Sequence, residues 1–461
     1  MSYKKIFVVI VFLFAATISW LPFQGMTTQQ SQTFGLVVLV LSLWGTGIIP
    51  NYLTSLIFFS CLLIFKIAPP ETVFSGFSSA AIWLVFSGFI MAAAIKNVGL
   101  SYQISRIFQC YFAHSYVALI SGMMLFTMAL GFLMPSSLGR AVLMVPIGLA
   151  LADQVGFAPG TKGRTGIALA LTFGCHVPSF AILPANVPNI VLTGAAQTLY
   201  GLNFTYAHYL LLHYPLLGIA KSIVITGLIV FLFHDKPVPH LAKMTNQTST
   251  DLGENQRKRY WISGILLITL CLWMTDSIHH ISPAWIGLVA SSLLMLPGMK
   301  LIDPAQFQKS INFGLLLFIA GILGLSAVMK YTGLGYVIAQ WLIHILPLTK
   351  GADFTNFISL CVMSFITGIV TTLPGVPAVL TPMAQQLSHI TGLSLTTVLM
   401  TQVIGFSTVL FPFQSGPLTV GMQLSQEKLG HVMKITIPVA LITLLVFAPM
   451  DYVWWKFLGM F

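Results

Sequence analysis

Arg140 is the only charged residue in the segment "MPSSLGRAVLMVPIG" (134–148), whose other residues are mainly apolar or small. An arginine at the centre of a membrane span costs about 2.5–3.5 kcal/mol on insertion scales, so it normally faces a partner or a cavity. None of the ten acidic residues falls at the middle of a predicted span. The missing counter-charge predicts an anionic ligand for Arg140. The alternative is that Arg140 caps nearby backbone carbonyls or reaches cytoplasmic water.

Small polar side chains accumulate at four places where Pro and Gly interrupt apolar segments. These are Ser136 and Ser137 in "MPSSLG", Asn186 and Asn189 in "PANVPN", Thr371 and Thr372 in "TTLPGV", and Gln414 and Ser415 in "PFQSGP". Carbonyls freed at a helix break can coordinate a small cation, whereas half-helix N-termini and small donors favour an anion. The pattern predicts one central site that binds both a cation and an anion. The alternative is that the hydroxyls bond their own helices and the breaks are only kinks.

Two sets of site residues follow from this prediction. The substrate set is Ser136, Ser137, Arg140, Asn186, Asn189, Thr371, Thr372, Gln414 and Ser415, and the sodium set is Ser136, Ser137, Gly139, Asn189, Thr372 and Gly375. Sodium is the expected coupling ion because carbonyls and hydroxyls suffice to bind it, whereas proton relays commonly use membrane Asp, Glu or His. His176 is interpreted as structural, and Lys221 as either a substrate charge or a snorkelling side chain.

The elements that hold these residues must cross a membrane. Of 461 residues, 57% are hydrophobic and 7% charged, and the mean hydropathy is +0.91, values typical of a polytopic membrane protein. Apolar segments of about 20 residues predict about eleven transmembrane helices, at 6–22, 33–49, 51–68, 81–96, 165–181, 208–233, 260–276, 283–298, 312–330, 396–411 and 434–457.

The basic residues are dispersed between these segments, so the net charge of +11 forms no continuous patch for nucleic acid. With the N-terminus in the cytoplasm, fifteen Lys and Arg fall on the cytoplasmic side and four outside, as the positive-inside rule expects. A retained first helix is predicted, because "ATISWLPFQG" offers no good signal-peptide cleavage site. The expected location is the bacterial inner membrane. Five isolated cysteines indicate packing residues rather than disulfides or a metal site.

The chain also matches itself in three places, which predicts an inverted repeat. The matches are "KNVGLSYQI" (96–104) with "KYTGLGYVI" (330–338), "SSLGRAVLMVPIGLALADQVGF" (136–157) with "TLPGVPAVLTPMAQQLSHITGL" (372–393), and "LPANVPNIV" (183–191) with "FPFQSGPLT" (411–419). Each copy holds five spans, so the second enters the membrane with opposite orientation. The predicted organisation is an N-terminal helix and outer loop (1–32), a first repeat (33–233), a cytoplasmic linker (234–259) and a second repeat (260–461).

Each repeat is expected to contain a re-entrant hairpin, an interrupted span and a surface helix. The hairpin arms are 118–133 with 139–152 and 357–370 with 376–390, each too short to span the membrane, and the surface helices lie within 105–116 and 339–350. Unwound backbone in hydrocarbon is tolerated only beside protein or a water-filled cavity. The hairpin tips and the two interruptions should therefore converge.

The order of these features resembles the divalent-anion:sodium symporter family of the ion-transporter superfamily, on "MPSSLGRAVLMVPI", "LPANVPN", "TTLPGVPAVLTPM" and "LFPFQSGPLTVG". That family includes sodium:sulfate and di- or tricarboxylate carriers. The resemblance implies an elevator-type carrier, usually a homodimer, whose mobile domain holds sodium and anion between hairpin tips and broken helices. Family members carry Ser-Asn-Thr at each tip, whereas this chain has Ser136-Ser137-Leu138 and Thr371-Thr372-Leu373. The departure leaves the anion and the number of sodium sites open.

The expected function is symport of a small anion, such as a dicarboxylate or sulfate, with sodium across the lipid bilayer. An arsenite-type exporter and a sodium/proton antiporter of the same superfamily remain alternatives, as does a passive anion channel. An enzyme is not expected, because the sequence has no HExxH, no GxSxG and no paired intramembrane acids. Neither a catalytic residue nor a cofactor other than sodium is predicted.

Overall fold

The computed structural model describes residues 3–20, 25–97, 115–134, 136–236, 252–296, 301–343 and 345–461, and this part of the chain is helical without a strand. In the first half the helices are α1 (Tyr3–Trp20), α2 (Thr28–Thr46), α3 (Asn51–Ile64), α4 (Pro70–Val73), α5 (Ala80–Asn97), α6 (Tyr116–Leu133), α7 (Ser137–Val155), α8 (Lys162–His176), α9 (Val187–Tyr200) and α10 (Tyr206–Leu232). In the second half they are α11 (Leu252–Met274), α12 (Asp276–His279), α13 (Pro283–Leu294), α14 (Pro304–Ser310), α15 (Phe313–Tyr331), α16 (Leu334–Ile343), α17 (Asp353–Val370), α18 (Gly375–Leu380), α19 (Ala384–Thr391), α20 (Leu395–Phe406), α21 (Gly416–Ser425) and α22 (Gly430–Phe457). The all-α class is confirmed.

Four of the described helices, α6, α10, α15 and α22, are long and apolar enough to cross a membrane. Shorter apolar helices account for several of the other predicted spans, so the number eleven stays a prediction. One premise was wrong: the first hairpin arm, expected to be too short to span, is an 18-residue helix with mean hydropathy 2.0. Large apolar side chains such as Phe231 (81% exposed) and Phe457 (80%) point outward, as lipid-facing residues do.

Apart from α12 and α16 in the second half, the two halves present their described elements in the same order. A long helix and a shorter one are followed by a short helical segment, a buried helix, a hairpin, an interrupted helix and a final long helix. Both final helices contain a π-helical segment, Tyr214–Ala220 in α10 and Thr443–Phe447 in α22. This correspondence is what the internal sequence matches predict, while the domain boundaries stay predictions.

Hairpin 1 consists of α6 and α7, and Met134 and Ser136 are the described residues of its tip. Ser115 starts α6 by accepting a hydrogen bond from the backbone N–H of Ala118 at 3.1 Å, and Gly156 ends α7 in the left-handed region at φ +91°. The ring of Tyr116 lies 5.9 Å from that of Phe157, so the start of one arm meets the end of the other. The two arms therefore fold back on each other, as predicted.

Hairpin 2 consists of α17, α18 and α19, with its tip at 371–374. Its outer ends are joined by hydrogen bonds from Asn356 Nδ2 to Thr391 O (3.2 Å) and from the backbone N–H of Gly351 to the same oxygen (3.2 Å). Gly392 ends α19 at φ +79°. The second hairpin is thereby closed at the end opposite to its tip.

Two interrupted helices follow the hairpins, at the positions that Pro and Gly indicated. Break 1 (177–186) separates α8 from α9 and contains two 3₁₀ turns, Pro178–Ala181 and Leu183–Ala185. Break 2 (407–415) separates α20 from α21 and contains one, Pro412–Gln414. Proline lacks the N–H that an α-helix would use, so these segments leave the helix.

Two other predicted segments have different outcomes. The surface helix at 105–116 lies almost entirely outside the described residues, whereas the one within 339–350 overlaps α16. The predicted linker at 234–259 stays a prediction; its last residues belong to α11, which begins at Leu252. A helix-favouring run, "LGENQRKRY", thus extends the next apolar segment instead of remaining a loop.

The packing of hairpin 2 on α20 generates a prediction about Gly405. An alanine Cβ at this position would lie 2.1 Å from Ser364 Oγ and 2.7 Å from the backbone N of Phe365. We expect Gly405→Ala to lower the free energy of unfolding by about 1–3 kcal/mol, the usual cost of overpacking, measured by thermal unfolding in detergent.

Gly227→Ala is the matched control, because a Cβ there meets nothing within 4 Å inside α10. It should leave stability unchanged or raise it by up to about 1 kcal/mol. Equal melting temperatures for the two variants would show that α17 and α20 do not approach each other this closely.

Candidate functional site

A cavity of about 320 Å³ lies where both hairpin tips and both breaks meet. Six predicted substrate residues line it, namely Ser136, Ser137, Asn186, Thr372, Gln414 and Ser415. The other three, Arg140, Asn189 and Thr371, are not among its lining residues, nor are Gly139 and Gly375 of the predicted sodium set. The structure therefore brings the four interruptions together, as expected, and places part of the candidate set behind the cavity wall.

Three helix N-termini open into this cavity through their capping residues. Ser136 Oγ accepts from the N–H of Gly139 (3.1 Å) at α7, and Asn186 Oδ1 accepts from that of Asn189 (3.0 Å) at α9. Ser415 Oγ accepts from the N–H of Leu418 (3.3 Å) at α21. A helix N-terminus carries roughly half a positive charge, and the unused N–H groups of its first turn can bind an anion. The arrangement therefore favours a negative ligand without a cationic side chain in the wall.

Arg140 lies behind this wall and is fully buried. Its Nη1 donates to Met134 O at the tip of hairpin 1, and its Nη2 donates to Cys175 O (2.9 Å) near the end of α8. The same Nη2 contacts Ser179 Oγ and, at 3.5 Å, Ala185 O in break 1. This is the carbonyl-capping alternative raised by the sequence; the role of Arg140 as counter-charge of an anion stays a prediction.

Two side-chain amides close the two breaks. Asn189 Nδ2 donates to the carbonyls of Ser179 (3.0 Å), Phe180 (3.1 Å) and Ile182 (3.0 Å) in break 1. In break 2, Gln414 Oε1 accepts from the N–H groups of Leu410 (3.0 Å) and Phe411 (2.7 Å). Gln414 Nε2 donates to Gly368 O (2.7 Å) of hairpin 2. Both amides thus satisfy backbone groups that the interrupted helices leave without partners.

The tip of hairpin 2 is built by close backbone contacts. Thr371 Oγ1 donates to Thr367 O at 2.7 Å, the own-helix bond that the sequence left as an alternative. The N–H of Gly375 donates to Thr372 O at 2.8 Å, and a Cβ on Gly375 would lie 2.9 Å from the side chain of Thr371. Thr371 and Gly375 therefore hold Thr372 at the cavity.

His176 lines the cavity, although its position in the sequence suggested only a structural role. Its Nε2 lies 2.9 Å from Ser415 Oγ, and its ring packs against Phe180 at 4.8 Å. It consequently joins the first broken helix to the second. Its Nδ1 has no hydrogen-bond partner among the described residues.

The sequence argument missed one wall of the cavity. That wall comes from α3, α5 and α15 and consists of Asn51, Val85, Gly88, Phe89, Leu315 and Phe318. These are ordinary residue types for membrane helices. The repeat offset pairs α5 with α15, since "KNVGL" and "KYTGL" end the two helices, and this signal could have indicated that both approach the centre.

Lys221 and Asp451 are buried charged residues outside the cavity lining, and Lys221 corrects one expectation. Lys221 is 1% exposed and donates from Nζ to Ser407 O (2.8 Å) in break 2, so the snorkelling interpretation is wrong. It does not line the cavity. Asp451, near the C-terminal end of α22, is completely buried and interacts electrostatically with Lys221. Neither of its carboxylate oxygens has a hydrogen-bond partner in the described part of the chain.

The arrangement of these helices matches that of a solved membrane transporter. The Alcanivorax borkumensis YdaH transporter superposes with a TM-score of 0.53 at 15% identity, covering 99% of this chain and 98% of that chain. At this identity the likeness shows the fold alone. A family model described as "Citrate transporter" matches residues 36–405. The chain therefore belongs to this citrate transporter family and is an integral membrane protein, and the resemblance noted from the sequence is confirmed.

Curated relatives have low sequence identity to this chain but match most of its length. A chloroplastic protein of Arabidopsis thaliana named dicarboxylate transporter 2.2 is 23% identical over 95% of this chain and 81% of its own length. The sodium-dependent dicarboxylate transporter SdcS of Staphylococcus saprophyticus is 24% identical, and a Cupriavidus necator membrane protein is 22% identical, each over 69% of this chain. The matches span 66% of the length of each of these two relatives.

The contacts of Arg140 generate the second prediction. Arg140→Met would leave several buried carbonyls without donors, at about 1–3 kcal/mol for each unsatisfied group. We expect the melting temperature in detergent to fall by more than that of any surface variant, with and without added anion. Arg140→Lys should give an intermediate loss, because an ammonium cannot reproduce the planar fork.

Arg164→Met is the control, since Arg164 is 14% exposed rather than fully buried and pairs with Asp153, whose side chain is 58% exposed at the surface. A surface pair contributes about 0–1 kcal/mol. If Arg140→Met melted at the same temperature as the wild type and lost only its stabilisation by anions, the guanidinium would bind the anion and would not stabilise the fold.

Proposed function

We propose that the chain is a secondary transporter that carries a small organic anion together with sodium ions by elevator-type alternating access. The observation that supports the proposal most is the convergence of three capped helix N-termini on one cavity between two broken helices. Carriers built from inverted repeats bind substrate at such half-helix ends near the membrane midplane. The family match and the names of the relatives, which refer to citrate and dicarboxylates, favour carboxylates as the class of anion.

Sodium coupling is supported by the acceptors around break 1. Asn189 Oδ1 is buried without a hydrogen-bond partner among the described residues, so a cation would satisfy an otherwise isolated acceptor. The hydroxyls of Ser136 and Ser137 lie at the neighbouring hairpin tip. Hydroxyl, amide and carbonyl oxygens are suitable sodium ligands. The staphylococcal relatives are named as sodium-dependent, which agrees with this proposal.

The transport motion follows from the resemblance to the symporter family. The hairpins and broken helices would move together as one domain against the remaining helices, carrying the cavity across the membrane. We place the protein in the bacterial inner membrane with its N-terminus in the cytoplasm, on the distribution of Lys and Arg. A homodimer, with the contact on the non-moving helices, completes the proposal.

The test is uptake into liposomes that contain the purified full chain. Labelled succinate, citrate and benzoate serve as probes, with an inward gradient of sodium or potassium. We expect saturable uptake of at least one probe that requires sodium. Ser415→Ala and Asn186→Ala should each reduce it at least tenfold, because each removes a helix cap and a polar group from the cavity.

Ser292→Ala is the matched control, since Ser292 Oγ donates to Leu288 O of its own helix at 2.8 Å and Ser292 is not among the residues that line the cavity. It should retain uptake within twofold. Uptake that neither saturates nor depends on sodium would replace the proposal by a passive channel. Proton movement driven by sodium without any anion would replace it by an antiporter.

A further inference from the structure

The cavity has two chemically different sides. The hairpin tips and the breaks supply the polar side, with the three capped N-termini described above. The opposite wall comes from α5 and α15 and is apolar, formed by Val85, Phe89, Leu315 and Phe318. Asn51, at the start of α3, adds one polar side chain beside this wall. A ligand therefore meets hydrogen-bond donors on one side and hydrocarbon on the other.

Charge in the lining is sparse. The described residues that line the cavity include no Lys, Arg, Asp or Glu. His176 is the one titratable side chain among them. Asn186 is 2% exposed, and its Nδ2 has no hydrogen-bond partner in the described structure. This unused donor and the N-termini lie on the polar side, where a single carboxylate can be held. A second carboxylate would have to leave water against the apolar wall, which is unfavourable without a partner.

Each hairpin tip adds an apolar residue to the cavity lining, directly after a hydroxyl residue in the sequence. Leu138 follows Ser137 in hairpin 1, Leu373 follows Thr372 in hairpin 2, and all four side chains line the cavity. A hydroxyl or amide in place of either leucine could bond a second anionic group. Leucine offers only contact with hydrocarbon, so each tip adds apolar surface to the lining next to its hydroxyl.

We propose that the transported anion is a monocarboxylate with a compact branched or aromatic body. The carboxylate is held by the N-termini and Asn186, and Leu138, Leu373, Phe89 and Phe318 select the body. A cavity of about 320 Å³ suits a ligand of this size. The inference rests on the proposed function and narrows it, and it departs from the dicarboxylates for which the relatives are named.

Binding to the purified full chain in sodium-containing detergent buffer tests the inference. Benzoate and 3-methylbutanoate are compared with succinate and citrate, by thermal shift and by calorimetric titration. We expect the monocarboxylates to bind at least tenfold more tightly. The double variant Leu138→Thr/Leu373→Thr should lower this preference at least tenfold, by weakening the monocarboxylates and strengthening succinate.

Leu293→Thr is the control, because Leu293 lies on α13 outside the cavity and is 39% exposed. It should keep the wild-type preference. Succinate or citrate binding as tightly as benzoate to the wild type would overturn the inference and leave the proposed function standing. If none of the four anions bound, with or without sodium, the proposed function would fall as well.

Discussion

A backbone that leaves its helix inside a membrane must find a partner for every freed N–H and C=O, because lipid offers none. In this protein two buried cations meet the demand at the C-terminal ends of the interrupted helices. Arg140 holds Cys175 O near the end of α8, and Lys221 holds Ser407 O just after α20. A cation at a helix C-terminus also opposes the negative end of the helix dipole. Pro and Gly interrupt the helices, and these contacts give one freed carbonyl at each break a buried donor.

The two ends of each break consequently have opposite roles. The C-terminal end of the first half-helix is closed by a protein cation, whereas the N-terminal end of the second half-helix faces the cavity. Asn189 and Gln414 hold the unwound segment between the two ends in shape. This division explains why a cavity without a Lys or Arg in its described lining can still attract an anion. It also explains why Arg140 is buried one layer behind that cavity.

The helix breaks and hairpins could be predicted from the sequence because Pro, Gly and small polar residues mark them and the repeat shows each pattern twice. Six of the nine proposed substrate residues line the cavity for the same reason. The acceptors of Arg140 could not be predicted, because every residue has a backbone carbonyl and the sequence does not mark the ones that accept. The contact of Lys221 with Ser407 joins residues 186 positions apart that no repeat offset relates. Phe89 and Phe318 were missed because the sequence of a membrane helix does not distinguish an aromatic residue that faces lipid from one that faces a cavity.

The contact between Lys221 and Ser407 also has a consequence for how the chain is made. At a synthesis rate of about 5–20 residues per second, the 186 residues that separate the two take on the order of 10–40 s to emerge. During that interval the ammonium group of Lys221 has entered the membrane region without its final acceptor. Asp451, which interacts with it in the finished fold, is made later still. The first half therefore cannot complete the surroundings of Lys221 until nearly the whole chain has been synthesised.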